Sequence, residues 1–220
     1  MPDMKMFGLV LIGLACFVFW LYWTLKIRFF GRQRIRILTV TGPSGSGKTT
    51  IVGELLKKHP EWKMVLSLTS RESRESDLPG EYRCNVSRKE FLRRELGREF
   101  MWLVRAHGNM YGTLQADVRM ALDSRNLSLM QILPDSVKQL RIQAPGRVLS
   151  VFILPPDEEG LRRRLERRGE QPEAIERRVA DCRKWEEEAR FSDIPYEFIR
   201  NDGTVVEAVE KVEQIIKKHL

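Results

Sequence analysis

The sequence predicts an α/β domain in which helices cover a parallel sheet, preceded by one transmembrane helix. Three observations lead to this prediction. Residues 6–25 carry no charged side chain, short apolar runs alternate with helical stretches in the rest of the chain, and a glycine-rich loop follows the first of those runs. Strands that alternate with helices favour a parallel sheet, because each parallel connection needs a crossover that is usually a helix.

The uncharged stretch at 6–25 is long enough to span a bilayer. At about 1.5 Å per residue, a helix of this length covers roughly 30 Å, the thickness of the hydrocarbon layer. Trp20, Tyr22 and Trp23 lie at its C-terminal end, where aromatic rings favour the membrane interface. A cleaved signal peptide is disfavoured, since only Lys5 gives the start a basic character. We therefore expect a single-pass membrane protein that contacts the lipid bilayer through this stretch.

Basic residues directly after the span indicate its orientation. The net charge is +8, and five positive charges lie within eleven residues, at Lys26, Arg28, Arg32, Arg34 and Arg36. Positive residues stay on the cytoplasmic side, so we expect the N-terminus outside and the following domain in the cytoplasm. Because this strip accounts for most of the imbalance, no nucleic-acid partner is expected. The predicted divisions are a tail at 1–5, the span at 6–25, a basic tether at 26–34 and a domain at 35–220.

The composition is that of a folded domain rather than a disordered or disulfide-stapled one. Hydrophobic residues make up 42% of the chain and charged residues 31%, which argues against disorder. The few cysteines and histidines are scattered, at Cys16, Cys84, Cys182, His59, His107 and His219. This spacing excludes a secreted disulfide scaffold and argues against a metal site built from cysteine and histidine.

Apolar spacing predicts the elements of the domain in order. Strands are predicted at 35–41, 64–68 and 148–154, where apolar residues run together. A helix is predicted at 49–59, ahead of Pro60. The stretch 157–190 is dense in charge with sparse apolar residues, which predicts a solvated helical hairpin. Apolar residues at helical spacing over 205–216 predict a final helix that packs on the sheet.

The glycine-rich loop satisfies the pattern GxxxxGK[ST] at every fixed position. Such a loop wraps its backbone N–H groups around a phosphate at the positive end of the following helix. Lys48 is expected to reach the β- and γ-phosphates of ATP, and the Thr49 hydroxyl to ligate Mg²⁺. We therefore predict a P-loop NTPase-type fold with ATP as phosphoryl donor. The predicted ATP-binding residues are Gly42, Pro43, Ser44, Gly45, Ser46, Gly47, Lys48, Thr49 and Thr50.

Further motifs in the chain resemble those of the guanylate kinase family. The stretch 67–74 reads SLTSRESR and is similar to the family's S-H-T-T-R-x-P-R. Residues 107–113 read HGNMYGT, close to its H-G-N-Y-Y-G-T, and 161–169 read LRRRLERRG, close to its L-x-x-R-L-x-x-R-G. Asn201-Asp202 matches a late N-D pair. The resemblance spans about residues 35–217, with the motifs in the family's order.

This resemblance implies an acceptor-binding region at about 67–115, a lid at about 157–190, and roles for particular residues. It places the phosphate group of a phosphorylated small-molecule acceptor among Ser67, Arg71, Arg74, Tyr111 and Thr113. Guanidinium groups suit that task because they bind phosphate oxygens bidentately. It also assigns a catalytic role to Lys48 and to three lid arginines that close over the transferring phosphoryl group, Arg164, Arg168 and Arg178.

The positions that read guanine in the family differ in this chain. The guanine-reading glutamate corresponds to Trp102, and two family aspartates correspond to Gln131 and Leu133. A family tyrosine corresponds to Arg83, with Tyr82 one position early. Asp77 stands where the family has a glutamate, and Ser136 stands where it has a glycine. Because the two family aspartates are missing, Mg²⁺ binding is expected to depend more on Thr49. Strong selection for guanine is therefore not expected, because tryptophan and leucine accept no hydrogen bond.

Three functions remain open, and the third, a regulatory nucleotide sensor at the membrane, is not separated from the other two by the sequence. The first is an ATP-dependent kinase whose acceptor is GMP by family resemblance, or a phosphosugar as in ribose 1,5-bisphosphate kinases. The second is a non-catalytic, guanylate-kinase-like binding or scaffold module at the membrane. Such modules typically lose the P-loop lysine, whereas Lys48 is present here. The sequence gives no indication of oligomeric state.

Overall fold

The computed structural model describes residues 34–106 and 108–220. The predicted tail at 1–5, the predicted span at 6–25, most of the tether and His107 lie outside these residues. Within the described part of the chain, no helix combines the length and the apolar character needed to cross a membrane. Ile35–Leu220 forms one compact unit.

The described residues contain nine strands and seven helices. The strands are β1 (Ile37–Thr41), β2 (Lys63–Met64), β3 (Ser67–Thr69), β4 (Tyr82–Arg83), β5 (Phe100–Ala106), β6 (Asn109–Leu114), β7 (Ser128–Gln131), β8 (Val148–Leu154) and β9 (Tyr196–Arg200). The helices are α1 (Lys48–Lys58), α2 (Arg88–Leu96), α3 (Gln115–Asp123), α4 (Pro134–Gln143), α5 (Glu158–Glu166), α6 (Pro172–Phe191) and α7 (Val205–His219).

The central sheet has five parallel strands in the order β2-β7-β1-β8-β9. Ile37 is level with Ser128 on one side and with Val148 on the other, so β1, β7 and β8 start together. All residues of β1 and β8 are buried, as expected for strands covered on both faces. The predicted α/β class and the strands predicted around 35–41 and 148–154 are confirmed.

A second sheet of four strands lies in the order β4-β3-β6-β5. Its β3–β6 and β5–β6 pairs are antiparallel and its β3–β4 pair is parallel. The single strand predicted at 64–68 is wrong, because the chain changes sheets there. The Val65 N–H donates to Leu129 in the central sheet, whereas the Ser67 N–H donates to Glu81 beside the second sheet.

Helices cover both faces of the central sheet. On one face α1 and α7 pack together through an apolar cluster that includes Leu55 and Val212, both fully buried. On the other face α3 and α4 contribute Val118 and Leu140 to a second cluster. Burial of each such side chain stabilises the fold by about 1.5–3 kcal/mol relative to exposure. The final helix starts at a capping box between Thr204 and Glu207.

The predicted charged hairpin is confirmed as α5 and α6. The two helices pack through a small apolar cluster of Leu161, Leu165, Ile175, Val179 and Cys182. Their outer faces carry ion pairs such as Arg162 with Glu158, spaced four residues apart. Exposed pairs of this kind stabilise little, so the buried cluster holds the hairpin together.

Candidate active site

The phosphate-binding loop joins the C-terminal end of β1 to the start of α1, at the edge of a parallel sheet where ligands usually bind. Gly47 caps α1 with φ of 95°, a backbone conformation that side chains rarely adopt. A Cβ at this position would lie 2.3 Å from the Asn201 side-chain nitrogen. The Asn201 amide in turn donates to the Ser46 carbonyl at 2.8 Å. The loop is therefore held against the residue that follows β9, which gives the N-D pair a structural role.

Lys48, the first residue of α1, curls back under the loop. Its Nζ donates to the Pro43 carbonyl at 2.9 Å. Burial is the main cause that lowers the pKa of Lys48 to about 8, and the positive charge of Arg168 lowers it further. The negative charge of Glu81 acts in the opposite direction. Lys48 therefore lies inside the loop, where nearby negative charge does not offset the cost of burying its own positive charge. This is expected of a group that meets a phosphate.

Hydrogen bonds link the side chains of Thr49, Gln131 and Glu81, which come from different parts of the chain. The Thr49 hydroxyl donates to the Gln131 side-chain carbonyl at 3.3 Å. The Gln131 amide nitrogen donates to a Glu81 carboxylate oxygen at 3.1 Å. Burial raises the pKa of Glu81, while the Leu78 N–H, which donates to its other oxygen at 3.1 Å, lowers it. Sequence reasoning missed Glu81, for which a lone acidic residue before a short strand was the only local signal.

The lid arginines approach the loop from α5 and α6. Arg164 donates to the Asn201 carbonyl at 2.8 Å, and Arg178 donates to the Ser44 hydroxyl. Arg168 lies in the turn after α5, and its positive charge lowers the pKa of Lys48. A Cβ on Gly45 would lie 2.6 Å from Leu161, so the first helix of the hairpin lies directly over the loop. The structure therefore places Arg178 in contact with the loop and Arg164 in contact with Asn201, the residue that holds the loop.

Arg71 is buried at one end of the second sheet and is held by an internal carboxylate. Its two Nη atoms donate to the two oxygens of Asp77 at 2.9 and 2.6 Å, and Nη1 also donates to the Glu72 carbonyl. Hydrogen bonding to Arg71 lowers the pKa of Asp77 and raises that of the arginine. Of five guanidinium N–H groups, the Nε–H and one Nη2–H have no partner among the described residues. These two lie on one edge of the guanidinium, and such an edge has the geometry for a bidentate bond to a phosphate.

The other predicted acceptor residues lie around Arg71. Ser67 on β3 and Thr113 on β6 share a hydrogen bond of 2.7 Å between their hydroxyls. The Arg71 guanidinium lies 4.9 Å from the Tyr82 ring, which meets the Tyr111 ring edge-on at 6.3 Å. Tyr82 thus contacts the arginine, whereas Arg83 is exposed. A neighbouring open pocket of about 410 Å³ is lined by Ser70, Arg71, Glu72, Ser73, Arg74 and Asn109.

The positions that correspond to guanine-reading carboxylates lie in different surroundings. Trp102 on β5 is 8% exposed and packs in an apolar cluster with Val65 and Met130. Leu133 precedes α4 and is exposed, while Gln131 bonds to Thr49 and Glu81. The buried carboxylate of Glu81 is committed within the protein through both of its oxygens. The described structure therefore has a polar phosphate side and an apolar side next to Trp102.

Comparison with known proteins identifies the family. The sequence profile of the guanylate kinase family, described as guanylate kinase, matches residues 34–219. The chain belongs to the guanylate kinase family. It is 34% identical to the guanylate kinase of Agrobacterium fabrum over 186 residues, which cover 84% of this chain and 83% of that protein. The corresponding figures for Symbiobacterium thermophilum are 33% over 181 residues, 82% and 83%.

Two further relatives show how far the similarity extends. The guanylate kinase of Bartonella henselae is 38% identical over 144 residues, which cover 66% of this chain and 64% of that protein. The crystal structure of guanylate kinase from Anaplasma phagocytophilum superposes with a TM-score of 0.63 at 23% identity, covering 85% of this chain and 87% of that one. That likeness supports the fold. Because guanylate kinase family members are ATP-dependent nucleoside monophosphate kinases, this chain is a kinase, a phosphotransferase of that class.

Proposed function

We propose that this protein is a membrane-anchored kinase that transfers the γ-phosphoryl group of ATP to a phosphorylated acceptor without strong selection for guanine. One observation supports the proposal. Lys48 lies under the loop and the Nε–Nη2 edge of Arg71 has no partner among the described residues, while Trp102 occupies an apolar cluster where the family has a carboxylate. These positions support binding of two phosphate groups by a site whose position 102 carries no side-chain acceptor for guanine.

The donor side is suited to positioning and charge neutralisation, which are the main requirements of phosphoryl transfer. Backbone N–H groups at the start of α1 have no partners within the helix and would donate to a bound phosphate. Lys48 exchanges its bond to Pro43 for the β- and γ-phosphates. Arg164 and Arg178 are close enough to the loop to stabilise negative charge on the transferring group. Leu161 and Leu165 of the hairpin lie close to Gly45 and cover that side of the loop.

The side chains next to the loop fit Mg²⁺, a cation that prefers oxygen ligands and commonly keeps several waters. The oxygen atoms of the Thr49 hydroxyl and the Gln131 side-chain carbonyl lie 3.3 Å apart, and both are oxygen atoms of the kind that bind Mg²⁺. Thr49 would hold the ion together with the substrate phosphates, and Gln131 would support Thr49. A bound Mg²⁺ would supply positive charge that offsets part of the negative charge of the nucleotide phosphates.

The acceptor side binds a phosphate group whatever is attached to it. The Nε–Nη2 edge of Arg71 faces no protein acceptor among the described residues, and Arg74 lines the same open pocket. Asp77 fixes the plane of the Arg71 guanidinium, so little side-chain entropy is lost when a phosphate binds. GMP is the acceptor that family membership favours, and a phosphosugar is the second candidate, favoured by Trp102 in place of the base-reading glutamate.

The experiment that tests the acceptor is a phosphoryl-transfer screen of the full 220-residue chain, purified in detergent, with ATP and MgCl₂. GMP, dGMP, AMP, UMP and ribose 1,5-bisphosphate are compared as acceptors. We expect GMP and AMP to differ by far less than the roughly 10⁴-fold that buried polar groups can achieve. Efficient use of GMP with no use of AMP would contradict weak guanine selection. ATP binding without transfer to any acceptor would instead favour a scaffold module.

The membrane anchor is proposed from the sequence alone. Residues 6–25 carry no charge, and the tether at 26–34 is basic. This pattern supports a single span with the N-terminus outside and the kinase domain in the cytoplasm. Protease added to sealed vesicles that keep the cytoplasmic side inside should leave the domain intact. Digestion of the domain without detergent would reverse the proposed orientation.

A further inference from the structure

A buried carboxylate connects the loop before β4 with the nucleotide-binding loop. Glu81 is 7% exposed, and its oxygens accept hydrogen bonds from the Leu78 N–H and the Gln131 amide, both at 3.1 Å. The Gln131 carbonyl oxygen accepts from the Thr49 hydroxyl at 3.3 Å. The Glu81–Gln131 bond spans 50 positions in the sequence. Glu81 and Thr49 are therefore linked by hydrogen bonds to one amide group, that of Gln131.

We propose that Glu81 is a positioning residue that orients the Gln131 amide and, through it, the Thr49 hydroxyl for the Mg²⁺–ATP complex. This inference rests on the proposed role of Thr49 as a magnesium ligand. Glu81 itself does not contact the nucleotide in this proposal.

The orientation follows from which atoms donate and which accept. Both oxygens of Glu81 accept hydrogen bonds, one from the Leu78 N–H and one from the Gln131 NH₂ group, so the Gln131 carbonyl is turned towards Thr49. Thr49 then uses its one hydroxyl hydrogen on that carbonyl and keeps its lone pairs for a metal ion. A reversed amide would present N–H groups to Thr49 and take up a lone pair that the metal needs.

The charge of Glu81 is also suited to this place. Burial raises the pKa of Glu81, and the negative charge of Asp77 acts in the same direction. The hydrogen bond from the Leu78 N–H and the positive charges of Arg71 and Lys48 lower it. The family has an aspartate at the position of Gln131, whereas here the carboxylate belongs to Glu81 and is linked to Thr49 through the Gln131 amide. The negative charge of Glu81 acts to raise the pKa of Lys48.

The test measures ATP binding by calorimetry to the full-length chain in detergent, with MgCl₂ and with EDTA. The measured quantity is the gain in affinity that Mg²⁺ provides. We expect Glu81→Gln to reduce this gain about tenfold, the size of one charge-assisted hydrogen bond, and to leave affinity in EDTA unchanged. The amide cannot accept from both Leu78 and Gln131, so one donor is left facing another. Glu75→Gln, an equal charge change at an exposed position of the same loop, should have no effect.

A swap of the two side chains separates positioning from folding. Gln131→Glu alone places two carboxylates together and should also reduce the Mg²⁺ gain. The double variant Glu81→Gln with Gln131→Glu restores every bond, because the new amide donates to the new carboxylate, which accepts the Thr49 hydroxyl. We expect it to regain the wild-type Mg²⁺ gain within about threefold, well inside the tenfold loss of the single change.

Two results would overturn the role of Glu81. One is an unchanged Mg²⁺ gain in Glu81→Gln, and the other is a folded double variant no better than either single variant. Thermal melting of each variant shows whether it is folded. If Glu81→Gln is not folded, the double variant provides the test instead. A wild-type chain without any Mg²⁺ gain would instead contradict the proposed role of Thr49, and with it this inference.

Discussion

In the glycine-rich loop, every fixed position of the motif is present, and Arg178 of the lid bonds to Ser44 within it. In the half of the acceptor site that faces a base in the family, the three positions expected to carry carboxylates are tryptophan, glutamine and leucine. The donor loop acts largely through its backbone and through fixed charges. Base recognition depends on a few side-chain acceptors, so a few substitutions are enough to alter it without touching the groups that bind phosphate.

The most damaging way to disturb the donor side is to remove Lys48. We expect Lys48→Ala to lower phosphoryl transfer by about 10²–10³-fold or more, because a fixed positive charge at the transferring phosphate is lost. Transfer rates with saturating ATP and acceptor provide the measurement. Lys57→Ala, at an exposed position near the end of α1, serves as the control. Unchanged transfer in Lys48→Ala would remove the P-loop from the mechanism.

Arg71 tests the phosphate side of the acceptor site. We expect Arg71→Ala to weaken binding of any phosphorylated acceptor by about 1.5–3 kcal/mol, the size of a charge-assisted hydrogen bond. The loss should be similar for GMP, AMP and a phosphosugar, because the bonds go to the phosphate. KM values for each acceptor provide the measurement. Since Asp77 would lose its partner, Arg71→Lys is the better-folded companion, and it should retain part of the affinity. An effect confined to one acceptor would contradict this assignment.

Trp102 tests the base side of the same site. Trp102→Glu restores a carboxylate at the family position on β5, and we expect it to raise the preference for GMP over AMP by about 1–3 kcal/mol. Trp102→Gln is the matched control, because its amide has similar size without the charge. The ratio of kcat/KM for the two nucleotides is the measurement. Equal ratios in both variants and the wild type would show that guanine is read elsewhere.

The smallest expected effect concerns the pH dependence of ATP binding. Burial lowers the pKa of Lys48 to about 8 in the free protein, so the lysine is charged below that pH and loses its proton above it. Bound phosphates favour the charged form and raise the pKa again. ATP binding near pH 8.5 should therefore take up a proton, and affinity should fall as pH rises through 8. Calorimetry in two buffers with different ionisation enthalpies measures the uptake, which Lys48→Arg should abolish. Equal heats for the wild type in both buffers would contradict the lowered pKa.

Much of the fold could be predicted because its signals are local. The buried strands at β1 and β8, the charged hairpin and the last helix each show their own apolar spacing. The second sheet was harder to predict, because its strands are short or half-buried and pair across long separations. The stretch 64–68 looks like one apolar strand, and only the competing partners Leu129 and Glu81 divide it between two sheets.

By itself, the sequence determined the phosphate-binding loop, the family and the expectation of a membrane span, because each depends on neighbouring residues in a fixed order. The tertiary structure decided which distant side chains complete the site. Arg178 meets Ser44 across 134 positions, and Glu81 meets Gln131 across 50. Position 131 carries an amide where the family pattern has an aspartate, and that amide is bound by a carboxylate from another loop. Contacts of this kind carry no local signal, since they depend on how the two sheets pack and on which buried polar groups must find partners.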